Sequence, residues 1–164
     1  PIYQAAATYM TRAAEKLRHQ QSVAGAIQVY VRTNPFRIQD KQYSNGMVIP
    51  LPEPTSDTRI LVKAALFGLK QIYRPGFWYK KVGVMLLDLS DARKGQGSLF
   101  SAYGDDNQRS ATLMKTIDSL NQKMGVNTVG TAASGIQKNW KMRSENKSPR
   151  YTTCWHELPI AFAR

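Results

Sequence analysis

Eleven Asp and Glu, two His and one Cys are the side chains from which this chain of 164 residues could build a catalytic or metal centre. Carboxylates close in sequence can hold divalent cations for phosphoryl transfer. Two such pairs exist, Asp88 with Asp91 and Asp105 with Asp106. The first falls at the end of an apolar run and the second in a polar stretch, so both are expected as solvated surface acids. Cys154 and His156 have the look of two metal ligands, but two without a third or fourth do not make a zinc site. His19 closes a helical pattern and is expected at the surface. The chemistry in good supply is cationic. Twenty-three Lys and Arg give a formal net charge of +12. Residues 1–90 hold 12 of them against 5 acids, and residues 91–164 hold 11 against 6. Such a spread implies a polyanionic partner, because each phosphate contact releases a counterion.

A second kind of chemistry is apolar. Gln96-Gly97-Ser98-Leu99-Phe100 sets two bulky residues in a run of Asp, Arg, Lys, Gly, Ser and Asn, where nothing local can bury them. Such a pair either folds back onto its own core or fills a pocket on another protein.

The elements that must position these groups follow from periodicity. Ala6, Tyr9, Met10, Ala13 and Leu17 recur at helical spacing, predicting a helix over 3–21. From Ala24 to Thr33 the chain alternates, with Ile27, Val29 and Val31 on one side and Gln28, Tyr30 and Arg32 on the other. Asn34-Pro35 breaks this strand, and a polar loop is expected to about Gln42. A second strand, Tyr43 to Leu51, turns Met47, Ile49 and Leu51 inward and is expected to stop at Pro52 and Pro54. Thr55 or Ser56 can cap a helix carrying Leu61, Ala65, Leu69 and Ile72, ended near Arg74 by Pro75-Gly76. Tyr79 to Leu89 is a third strand. Leu113, Ile117 and Leu120 suggest a further helix ending near Met124, followed by short strands and loops with Trp140, Tyr151 and Trp155 as their core.

The expected fold class is α+β, a small, mainly antiparallel sheet with two helices on one face. The layout is that of a split βαββαβ lacking its first strand, so the chain is expected to start just after that strand. Residues 1–90 are expected as one domain, 91–110 as a linker and 111–164 as a small C-terminal domain. A single cysteine excludes an internal disulfide. No apolar run of about 18 residues exists to span a membrane, and the N-terminus lacks the pattern of a signal peptide. Cytoplasm is the expected compartment.

Arg12-Ala13-Ala14-Glu15-Lys16-Leu17-Arg18 and Arg32-Thr33-Asn34-Pro35-Phe36 resemble the little-finger domain of UmuC-type Y-family DNA polymerases, the DNA polymerase V catalytic subunit family. Tyr43-Ser44-Asn45, Pro54-Thr55-Ser56-Asp57-Thr58-Arg59 and Gly83-Val84-Met85-Leu86 continue the match in order. So do Gly135-Ile136-Gln137, Trp140-Lys141-Met142 and Ser148-Pro149-Arg150-Tyr151-Thr152-Thr153. The resemblance implies the non-catalytic C-terminal part of a translesion polymerase of the SOS response, associated with the nucleoid. It also implies damaged or primer–template DNA, a UmuD′-type dimer and RecA as partners. The catalytic carboxylates and their Mg2+ would lie in a palm domain absent here, so no cofactor is expected in this chain.

A little finger grips duplex through the sheet face that its helices leave free. By that resemblance Arg32, Thr33, Ser44, Asn45, Lys80 and Lys81 are the expected DNA contacts, all to the backbone. Gln96, Ser98, Leu99 and Phe100 resemble the Gln-x-x-Leu-Phe peptide with which bacterial polymerases hold the sliding clamp, with Gly97 where leucine is usual. Cys154-Trp155-His156 departs from the Arg-Trp-Asp of relatives and removes two opposite charges. Trp140, Tyr151 and Trp155 among Lys138, Lys141, Arg143, Lys147 and Arg150 could also stack a single strand. An RNA-recognition module would need more aromatics on its central strands than Tyr30. The competing class is a protein-interaction platform whose basic surface serves acidic partners.

Overall fold

The computed structural model describes residues 1–94, 104–137, 140 and 146–161. Helix α1 spans Ile2–His19, strands β1 and β2 span Ser22–Thr33 and Ser44–Thr55, and helix α2 spans Thr58–Ile72. Strand β3 spans Tyr79–Asp91 and helix α3 Gly104–Met124. The strands pair antiparallel in the order β2-β1-β3, and α1 and α2 lie on one face of the sheet. The expected α+β architecture is the one observed.

Its core follows from two periodicities that agree. Alternation in β1 turns Ile27, Val29 and Val31 inward, where they meet Met10, Ala14 and Leu17 of α1 and Leu61, Ala65 and Leu69 of α2. All nine are buried. Alanines at 5, 6, 7 and 14 keep the inner side of α1 thin, so the helix can sit close to its neighbours. Lys16, Arg18 and His19 in its last turn complement the negative end of the helix dipole.

Strand β2 does not stop at Pro52 but runs to Thr55. It is an edge strand, and Pro50, Pro52 and Pro54 occupy alternate positions. An edge strand accommodates proline, because a missing N–H costs no ladder bond where it faces out. The residues between Pro50 and Thr55 also bulge, because Ala26 pairs with Pro50 while Ala24 pairs with Thr55.

Helix α2 is capped by Asp57 rather than Thr55 or Ser56: its carboxylate accepts the Arg59 backbone N–H at 2.7 Å. Asp57 is buried. It also takes the Arg59 guanidinium at 2.7 Å and a short hydrogen bond from the Ser110 hydroxyl of α3. Burial works to raise its pKa. The hydrogen bonds from Arg59 and Ser110 outweigh that and hold the carboxyl below its ordinary value.

Helix α3 begins inside the stretch expected as linker, and it rests on the first 94 residues. Arg18 of α1 holds Asp118 through two bonds of 2.6 and 2.7 Å, and donates to the Ser56 carbonyl and the Thr58 hydroxyl. One guanidinium thus joins the end of α1, the start of α2 and the middle of α3. The inner face of α3 is only partly the expected one: Met114 is buried and Ile117 half-buried, while Leu113 and Leu120 are exposed. Beyond Met124, Asn121 pins the backbone of Val129 by two hydrogen bonds, and Gly135 packs against Gln4 of α1.

The described residues after Met124 form turns and two short 3-10 helices, Ala132–Ser134 and Trp155–Glu157, with no strand. Tyr151 and Trp155 are exposed rather than a core. Trp140 packs edge-on against Tyr9 of α1, with ring centroids 5.6 Å apart.

Candidate nucleic-acid interface

The sheet face away from the helices is laid out in rows across β2, β1 and β3. Ser44, Arg32 and Lys81 make the first row. Gly46, Tyr30 and Gly83 make the second, and Val48, Gln28 and Met85 the third. Arg32, Ser44 and Lys81 are exposed, so a cation, a hydroxyl and a second cation stand side by side. A Cβ on Gly83 would lie 2.2 Å from the Tyr30 Cζ, so the phenol ring reclines over that glycine. The face is therefore low and open beside the charged row.

Lys80 joins the row through an irregularity. Strict alternation would turn it toward the helices, with Val82. The register shifts between Arg32 and Thr33, however, with Arg32 opposite Lys81 and Thr33 opposite Tyr79. Lys80 is the extra residue, and the bulge lets both lysines stay exposed.

Two expected contacts are turned away. Thr33 is 2% exposed, and its hydroxyl donates to Gln42 Oε1 at 2.8 Å while accepting the Tyr43 N–H at 3.0 Å. No hydroxyl remains for a phosphate. Asn45 pairs with Val31, whose side chain faces the helices. Its amide donates to the Tyr43 hydroxyl and its carbonyl accepts the Gly46 N–H. The structure thus gathers Arg32, Ser44, Lys80 and Lys81, buries Thr33, and leaves Asn45 exposed but outside that row. Gln96, Ser98, Leu99 and Phe100 lie outside the described residues.

The basic residues divide by type. Arg18, Arg37, Arg59, Arg93 and Arg150 pair with Asp118, Asp40, Asp57, Asp91 and Glu157. No described lysine is in an ion pair. Hydrogen bonds from Arg93 also hold the Asp91 carboxyl below its ordinary value, and those from Arg150 do the same for Glu157. Carboxylates dispersed into one-to-one arginine pairs are a poor fit to a two-metal site. Among the described residues, no three His, Cys, Asp or Glu side chains gather as ligands, and no helix is long and apolar enough to cross a membrane.

Sequence reasoning missed one part of this end of the molecule. The β1–β2 loop, expected as polar, exposes Phe36 and Ile38, and Trp78 is exposed just before β3. The signal was the one used for Leu99-Phe100: large apolar residues in a polar run.

Residues 1–99 match the impB/mucB/samB family C-terminal domain. Residues 111–161 match a domain of unknown function, DUF4113. The chain is 39% identical over 160 residues to Protein ImpB of Salmonella typhimurium, covering 98% of this chain and 37% of ImpB. It is 40% identical over 158 residues to Protein UmuC of Salmonella typhimurium strain LT2, covering 94% and 36%. Protein MucB of Escherichia coli is 37% identical over 160 residues, covering 98% and 37%. The chain spans less than two-fifths of the length of these relatives. With more than half of its residues matching the family domain, and this identity running through nearly all of them, the chain belongs to the impB/mucB/samB family and carries its C-terminal domain.

Proposed function

We propose that this chain is the non-catalytic, DNA-holding C-terminal part of a UmuC-like translesion polymerase, with residues 1–94 acting as a little finger. The observation that carries the reading is the row of Arg32, Ser44 and Lys81, extended by the bulged Lys80, on the sheet face that no helix covers. Three cations and a hydroxyl there suit successive phosphates, and none is arranged to read a base edge. Such contacts hold duplex whatever its sequence and tolerate a damaged template. Phosphoryl transfer and its Mg2+ would belong to another part of the polymerase, since no cluster of carboxylates gathers as ligands among the described residues.

The test is fluorescence anisotropy of a labelled primer–template duplex across a salt series. Lys80→Ala with Lys81→Ala should weaken binding equally on unrelated sequences and flatten the log–log salt slope by roughly two units. A loss confined to one sequence would contradict backbone holding.

The Gln96-to-Phe100 peptide supplies the second activity, a tether to the sliding clamp, with Leu99 and Phe100 as anchors, Gln96 bonding at the rim and Ser98 between them. Phe100→Ala should abolish retention on immobilised clamp and leave the thermal unfolding curve unchanged. Unchanged retention would remove the tether. Protein contacts suit the other end of the chain, where Trp155 and Ile160 are exposed. A UmuD′-type dimer and RecA are the proposed partners there, and a platform for them with only incidental DNA contact is the second reading.

A further inference from the structure

The loop between β1 and β2 is more thoroughly built than a simple connection requires. Asn34 closes one turn, its side chain accepting the Phe36 N–H at 3.2 Å and its carbonyl the Arg37 N–H at 3.2 Å. A second turn follows, with the Asp40 N–H on the Arg37 carbonyl at 3.1 Å. The Gln42 side chain braces both from inside. Its amide reaches the carbonyls of Asn34, Arg37 and Asp40 at 3.1, 2.8 and 3.1 Å, and its oxygen takes the Thr33 hydroxyl. This scaffold holds Phe36 and Ile38 at 90% and 91% exposure. Across the end of the sheet, where Thr33 pairs with Tyr79, Trp78 is 81% exposed. Phe36 and Ile38, held in water by this scaffold, and Trp78 at the same end of the sheet form an exposed apolar docking surface, part of whose ordering cost is already met.

We propose that this tip binds unpaired DNA, with bases stacked on Phe36 and Trp78, Ile38 against a sugar or base, and phosphates on Arg37 and Lys80. Charge and chemistry select the occupant. Lys80 has no acidic partner among the described residues, and Arg37 meets Asp40 only at 3.9 Å with its own side chain 72% exposed. Aromatic faces interleaved with exposed cations, one unpaired among the described residues and one only loosely paired, suit a single strand, because every base has a face to stack and every nucleotide a charge to neutralise. The tip also adjoins the Arg32–Lys81 row, so a strand leaving a duplex on the sheet would meet it directly. The inference rests on the sheet's reading as a DNA surface and extends it past the duplex end.

The experiment titrates the whole chain against two labelled DNAs: a blunt duplex, and the same duplex with a single-stranded overhang of about ten nucleotides. Wild type should prefer the overhang. Phe36→Ala with Trp78→Ala should weaken binding to the overhang by about tenfold or more and leave blunt-duplex binding unchanged. Both residues are exposed, so the melting curve should not move. A companion measurement follows Trp78 emission in a Trp140→Phe, Trp155→Phe background, where added oligo-dT should quench it. Equal loss on both DNAs overturns the proposal. So does no loss on either, which assigns the tip to a protein. If wild type ignores the blunt duplex but binds the overhang through Phe36 and Trp78, the tip stands and the sheet reading falls. Binding to neither DNA ends both.

Discussion

Asp57 shows how much can rest on one side chain. Its carboxylate caps α2, pairs with Arg59 and accepts from Ser110 of α3, all while buried. Asp57→Ala should destabilise the fold by about 2 kcal/mol, at the upper end for a lost cap, read from chemical denaturation. The pH dependence has a definite sign. The folded pKa lies below the ordinary value of 3.8, so the contribution is complete above that value. It is lost as pH falls through the folded pKa. Asp57→Asn should therefore narrow the stability gap between neutral and acid solution below about pH 4. The cap was half legible: Thr55-Ser56-Asp57 offers three residue types that all cap helices, and only the position where the backbone turns helical decides among them. Thr33 and Asn45 teach the same lesson. Their types suit phosphate contacts, but Thr33 is buried with its hydroxyl bonded inside and Asn45 spends its amide on Tyr43 and Gly46, and no single sequence says which way a side chain at a strand end will turn.

Among the elements, β1 was the most legible, because strict alternation leaves one way to bury Ile27, Val29 and Val31 together. Strand β3 was legible, Lys80 and Lys81 included, but not the one-residue bulge that keeps both lysines exposed. Such a bulge depends on the partner strand and leaves no local mark. Helix α3 was found, with its inner face only partly the expected one. Leu113 and Leu120 look like its apolar side, yet the ion pair from Arg18 to Asp118 and the contact of Met114 fix the orientation instead. That pair sets the strength of docking. Its side chains are 13% and 29% exposed, so removing one partner leaves a partly buried charge. Arg18→Ala should cost about 2 kcal/mol, below the range for fully buried pairs. Amide hydrogen exchange should show the loss first in α3 and at the start of α2, which Arg18 also holds, and last in the central strand β1. Uniform loss of protection would mean that α3 and the sheet unfold as one unit.

Over the whole molecule, basic residues do two jobs. The five described ion pairs all use arginine, one of them, Arg18 with Asp118, joining separate elements and the other four closing local turns, while no lysine takes part in a described pair. Net charge alone predicted a polyanionic partner but not this split, and only the Arg18–Asp118 pair needs the fold to bring its partners together. The sheet's two margins differ just as sharply. One is β2 with its alternate prolines; the other is β3, whose outer side pairs with no strand among the described residues. Chemically, that is a monomer with one reactive end and one dead end. Two copies could join β3 to β3, and the product would then present two β2 margins, each blunted by proline over its second half. Concentrated solutions should accordingly show a dimer and no longer series in sedimentation velocity. A ladder of trimers and beyond would mean that the dead end is live.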